Sequence, residues 1–113
     1  MFSRRVSVSA LEFLRRQDRT AREIVLDGRL ADDECLNALQ EFRQLEKLAM
    51  VECGLNTLDN LPALPNLRVL IVNDNGIKDG LQRIPQACPK LQKLSLAGNR
   101  IADWTEVVAL SVL

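Results

Sequence analysis

Apolar residues recur along this chain in a spacing that is neither that of one long helix nor that of simple alternation. Residues 45–55 read LEKLAMVECGL, residues 67–77 read LRVLIVNDNGI, and residues 91–101 read LQKLSLAGNRI. All three fit one frame of eleven places, with apolar residues at places one, four, six and eleven. Place nine is Cys53, Asn75 or Asn99. A weaker copy starts near residue 21, where AREIVLDGR keeps Ile24 and Leu26 at places four and six and has Arg29 at nine. Alternation over places three to seven predicts a short strand in each copy, with Leu48 and Met50, Leu70 and Val72, and Leu94 and Leu96 pointing inward. Copies that recur every two dozen residues or so predict stacked coils whose strands form a parallel sheet.

This is the frame of a leucine-rich repeat. It predicts an α/β solenoid with a curved parallel sheet on the concave side and short helices and 3₁₀ turns on the convex side. Leaving the sheet, each coil must turn, and the turn strands buried N–H and C=O groups that need partners. An asparagine at place nine carries donors and an acceptor on a short side chain, so Asn75 and Asn99 are expected to bridge within and between coils. Cys53 is a small buried substitute with a weak S–H donor. In the return segment NTLDNLPALPN, the Leu58, Leu61, Leu64 spacing with Pro62 and Pro65 predicts tight 3₁₀-like turns. KDGLQRIPQACPK has room for about one helical turn, and Leu36, Leu39, Phe42 and Leu45 in DDECLNALQEFRQL share the face of a short convex helix. Ser9 followed by Glu12 forms a capping box that opens an amphipathic N-terminal capping helix over residues 9–16, set to cover the first coil.

Length limits the chain to a single domain, residues 1–113, with an N-terminal cap over 1–20 and repeats starting near 21, 45, 67 and 91. Nearly half the residues are apolar and the formal net charge is zero, which indicates a globular chain rather than a disordered one. The charge is unevenly spread. Arg4, Arg5, Arg15, Arg16, Arg19 and Arg22 make the first segment basic, and the stretch from Glu23 to Asn60 is acidic. Histidine is absent, and the three cysteines have no metal-ligand spacing, so Cys/His zinc sites and histidine-based triads are excluded. NDNG at residues 73–76 falls short of a calcium loop, because Ile71 takes its first ligand place and no glutamate closes it. No phosphate-binding glycine loop occurs either, and the residues nominate no catalytic group, cofactor or metal. With no leader pattern and no apolar run of membrane-spanning length, the expected compartment is intracellular and reducing.

From Arg4 onward the chain resembles the acidic leucine-rich nuclear phosphoproteins. The resemblance is carried by RRV, DRTAREIVLDG, CGLNTLDNLPALPNLRVLIVNDNGIKDGL and CPKLQKLSLAGNRIADW. It implies a non-enzymatic protein-interaction module of the nucleus and cytoplasm, a histone-binding chromatin regulator or phosphatase inhibitor. Members of that family normally add a fifth strand, a C-terminal cap and an acidic tail, none of which is in this sequence. Either the sequence is a fragment of a longer chain, or the fourth strand ends the sheet with its C-terminal edge uncapped and open to self-association. Trp104 is expected in the core or partly lidding the last coil. Spliceosomal A-prime proteins and tubulin and dynein adaptors share the frame more loosely. They supply an alternative, an RNA-associated or cytoskeletal adaptor that uses the basic cap.

The outward strand places are the candidate partner surface. They comprise Val25 and Asp27; Lys47, Ala49 and Val51; Val69, Ile71 and Asn73; and Lys93, Ser95 and Ala97. Val25, Ala49, Val51, Val69 and Ile71 are expected to form an exposed apolar strip, with Asp27, Glu52 and Asp74 on one margin and Glu23 and Lys47 on the other. Strand propensity alone could also place β-branched residues there. Acids beside such a strip favour a basic partner such as a histone tail, and the Asp32 to Glu34 block adds to that field. Nucleic acid is the rival partner, through the arginines of the cap.

Overall fold

The computed structural model describes residues 9–101. Expectations for Arg4, Arg5 and Trp104 and for the C-terminal edge beyond residue 101 lie outside them. In chain order the elements are helix α1 (Ala10–Arg15), strand β1 (Glu23–Val25), helix α2 (Asp33–Ala38), a 3₁₀ turn (Leu39–Glu41), strands β2 (Lys47–Ala49) and β3 (Val69–Ile71), helix α3 (Arg83–Ala87) and strand β4 (Lys93–Ser95). The four strands form one parallel sheet in the order β1-β2-β3-β4. Sequence order and spatial order coincide because each coil stacks on its predecessor. The fold is thus a leucine-rich-repeat solenoid.

Each strand is shorter than the five places of the frame, but the ladder runs past it. Leu26 N–H donates to the Ala49 carbonyl at 2.8 Å, Gly28 to Val51 at 2.8 Å, Met50 to Ile71 at 2.8 Å, and Asp74 to Ala97 at 2.8 Å. The ladder ends where the chain turns at place eight. There all four coils have positive φ: Gly28 at 77°, Glu52 at 55°, Asp74 at 56° and Gly98 at 73°.

Inward places build the core. Leu26, Leu48, Met50, Leu70 and Val72 are fully buried, and the return segments seal them from behind with Leu39, Phe42, Leu58, Leu61, Leu64 and Ile84. Burying each such leucine contributes about 1.5–3 kcal/mol. Leu94 and Leu96 in the last described coil are only half-buried against this cluster.

The caps explain the helix limits. Ser9 Oγ accepts the Glu12 N–H at 3.1 Å and opens α1. Just past its end, Asp18 accepts both the N–H and the hydroxyl of Thr20, at 2.8 and 2.7 Å, which turns the chain toward β1. Those bonds hold the Asp18 carboxyl below its usual range. Asp32 caps α2 through the Cys35 N–H at 2.9 Å. The helix expected over residues 32–45 is shorter than its pattern: α2 gives way to the 3₁₀ turn after Ala38. The apolar spacing of three from Leu36 to Leu45 matches a 3₁₀ period, and bonds from Phe42 to Leu39 and from Leu45 to Phe42 keep that face turned inward. The proline-containing return holds single turns of the same kind, Leu61 to Leu58 and Leu67 to Leu64.

Candidate functional site

Register assembles the outward places into rows. Glu23, Lys47, Val69 and Lys93 are paired across the four strands, as are Val25, Ala49, Ile71 and Ser95. Beyond the strands, bonds from Gly28 to Val51, Glu52 to Asn73 and Asp74 to Ala97 carry the register on to a third row, Asp27, Val51, Asn73 and Ala97. All the sequence-nominated outward residues therefore lie on one face.

Their exposure is uneven. Val25 is 44% exposed, and Val51, Val69 and Ile71 are half-exposed. Ala49 departs from expectation: at 6% exposure it is buried and belongs to the floor of the strip. Its methyl group is too short to rise above Val25 and Ile71, its cross-strand neighbours.

Two nominated polar residues are partly engaged in holding the face together. Asp27 Oδ1 accepts the Val51 N–H at 2.9 Å. Asn73 Oδ1 accepts the Ser95 hydroxyl at 2.6 Å and the Ala97 N–H at 3.1 Å. These are the same service two coils apart, and the Val51 side chain, lacking a polar atom, cannot perform it in the coil between them.

The electrostatics run along the strand direction. Asp27, Glu52 and Asp74 are exposed at the C-terminal ends of the strands. Neither ion pair among the described residues, Arg19–Glu41 at 3.1 Å and Lys47–Glu23 at 3.6 Å, involves them. At the N-terminal ends, Arg22, Arg68 and Lys93 are exposed, and Lys47 is half-exposed. Arg22 and Arg68 line a shallow recess with Gln44, Glu46 and Asn66. Sequence reasoning overlooked Arg68 because it stopped at places three, five and seven; the recurrence of Arg22 and Arg68 at place two was the available signal.

Place nine lies beneath the acidic margin. Asn75 Oδ1 accepts the N–H groups of Cys53 and Leu55 at 2.8 and 3.2 Å, and its Nδ2 donates to the carbonyls of Met50, Val72 and Asn73 at 2.8, 2.9 and 3.1 Å. Asn99 repeats the arrangement one coil later, on Asn75, Ile77, Val72, Leu96 and Ala97. Cys53 retains the donor half, giving Sγ to the Leu26 carbonyl at 3.2 Å. Burial pushes its thiol above the ordinary value. Arg29 holds its guanidinium over the Phe13 ring of the cap helix at 4.4 Å.

The basic cap is less free than its charge suggests. Arg15, Arg16 and Arg22 are exposed, but Arg19 bonds Glu41 and the Leu14 and Gln17 carbonyls and lies over the Phe42 ring at 4.9 Å. It fastens the cap to the first coil. Among the described residues, no group of three or more acids and cysteines converges as a metal site would, and no helix is long and apolar enough to cross a membrane.

Residues 65–108 match a family model for leucine-rich repeats in two copies. In three dimensions the chain is similar to a chain in the crystal structure of the Drosophila melanogaster SNF/U2A′ complex, with a TM-score of 0.60 and 30% sequence identity. The match covers 76% of this chain and 50% of that one, so it spans half the length of that relative.

Proposed function

We propose that this leucine-rich-repeat solenoid is a non-catalytic module that holds a protein partner on the concave face of its sheet. The observation that carries the reading is the exposure of Val25 at 44%, beside half-exposed Val51, Val69 and Ile71, on a parallel sheet whose other face is buried behind β1, β2 and β3. Parallel sheets are ordinarily covered on both faces, and an uncovered apolar face rimmed by charge marks a docking surface. The similarity to a chain crystallised within a complex supports the same reading.

Finer identification rests on the resemblance to the acidic leucine-rich nuclear phosphoproteins. A histone or another basic protein is the first partner to test, with a phosphatase second, and the nucleus and cytoplasm are the expected compartments. Asp27, Glu52 and Asp74, which take part in neither ion pair, support a basic contact, and three free, buried thiols agree with a reducing compartment. Titration with purified core histones at physiological salt tests it. The native chain should saturate, and a folded variant with Val51→Glu and Ile71→Glu should lose binding. Undiminished binding by that variant would remove the concave face as the site.

RNA held by the cap is the second reading, supported by exposed Arg15, Arg16 and Arg22. Binding there should weaken with each phosphate contact as salt rises, by a log–log slope of about 0.7 per contact on a single strand. An apolar dock should lose much less.

A further inference from the structure

The concave face has a charge direction that the sequence reading did not contain. Its apolar middle is bounded at the strand C-termini by Asp27, Glu52 and Asp74. At the strand N-termini Glu23 and Lys47 pair with each other at 3.6 Å, and exposed Arg22, Arg68 and Lys93 outnumber the half-buried Glu46. A uniformly basic segment would satisfy one margin and be repelled by the other. The backbone groups of the sheet are already paired between coils, so a partner must bring side chains rather than an added strand.

Geometry selects the shape of that partner. Neighbouring strands lie about 4.8 Å apart and one turn of α-helix rises about 5.4 Å, so a helix laid across the strands places one turn over each coil. Over the three gaps between four strands the mismatch grows only to about 2 Å, within the reach of side chains. Five strand places span roughly 17 Å, enough for a helix about 10–12 Å wide with a flank over each charged margin. From this geometry and charge, and resting on the concave-face reading above, we infer that the face selects an amphipathic helix lying across the strands. Its apolar stripe is edged by basic side chains on the flank facing Glu52 and Asp74 and by acidic ones on the flank facing Arg68 and Lys93.

Three synthetic helical peptides of about four turns test this. All carry one leucine stripe; the first has lysines on one flank and glutamates on the other, the second lysines on both, the third glutamates on both. Exchanging the two flanks of the first is no control, because a helix turned end for end restores the match. At low salt the mixed peptide should bind this chain about tenfold more tightly than either single-sign peptide, the sum of a few exposed ion pairs. Glu52→Lys with Asp74→Lys should move the preference to the glutamate peptide. Both positions already carry side chains at positive φ, so the substitutions put no Cβ where none stood. Arg68→Glu with Lys93→Glu should move it to the lysine peptide and serves as the second variant if the first does not fold.

A lysine peptide that equals or outbinds the mixed one, a ranking unmoved by the reversals, or no binding by any of the three overturns the inference. The variant with Val51→Glu and Ile71→Glu separates the two levels. If it abolishes binding while the ranking fails, the docking face stands and the charge direction falls; if it leaves peptide binding intact, both fall.

Discussion

The side-chain carbonyl of Asn99 accepts the backbone N–H of Asn75 at 3.1 Å, so the turn of one coil is held by the side chain of the next. Asn75 does the same for Cys53 at 2.8 Å. Each amide makes five bonds with backbone groups, three of which Asn75 donates to carbonyls. Asn75→Ala should therefore lower stability by about 1–3 kcal/mol by orphaning buried groups. Asn75→Asp should cost more than Asn75→Ala, because a carboxylate is acceptor-only and would face three carbonyl oxygens. Urea denaturation of the three proteins checks the order; two neutral substitutions would refute the bridging role.

Core truncations should follow the depth of the coil. Leu70 is fully buried in β3 between β2 and β4, while Leu94 in β4 is half-buried. Leu70→Ala is expected to cost about 2–5 kcal/mol as a large-to-small change with a residual cavity. Leu94→Ala should cost clearly less. Equal losses in the same denaturation experiment would mean that both sites are equally packed in solution.

The repeat was legible because its requirements recur. Inward leucines and place-nine amides come back at fixed intervals, so the sheet, its face and the bridging residues could be read from letters alone. Three things were not. The burial of Ala49 depends on the heights of Val25 and Ile71, which become its neighbours only through register. The early end of α2 depends on the next coil, against which Phe42 and Leu45 must pack. The left-handed turn at place eight was hidden because Gly28 and Gly98 signal it and Glu52 and Asp74 do not. The basic margin escaped for a plainer reason: Arg68 lies at place two, outside the alternation used to choose surface positions.

Two glycines with similar backbones should respond differently to a methyl group. Gly28 and Gly80 have φ of 77° and 88°. A Cβ at Gly28 would meet nothing within 4 Å, whereas one at Gly80 would come within 2.5 Å of the Asp59 nitrogen and 2.7 Å of the Leu58 nitrogen. Gly28→Ala should therefore cost only the left-handed strain, about 1–2 kcal/mol. Gly80→Ala adds a collision with backbone that cannot rotate away, and overpacking of this kind costs about 1–3 kcal/mol more. Thermal melts suffice to rank them. If Gly28→Ala were the more damaging, the close approach of the coils at Thr57 and Asp79 would be misplaced.

The buried thiols should make the fold sensitive to alkali. Burial pushes Cys35 up to about 12 and Cys88 up to about 11, from an ordinary 9.0, and raises Cys53 as well. A raised thiol pKa means that the folded chain keeps protons that the unfolded chain releases. Their contribution is fully present below pH 9 and is lost as pH rises from 9 toward 12, because the unfolded state then binds fewer protons. Urea midpoints measured from pH 8 to 10.5 should fall, and Cys35→Ala should flatten the decline, although it also removes buried volume. The same burial makes the thiols poor nucleophiles, so a thiol reagent at pH 8 should label them only as fast as the chain opens, and labelling should accelerate with urea. Rapid labelling of Cys35 in the absence of denaturant would show that the convex side opens locally and that the thiol is not sealed.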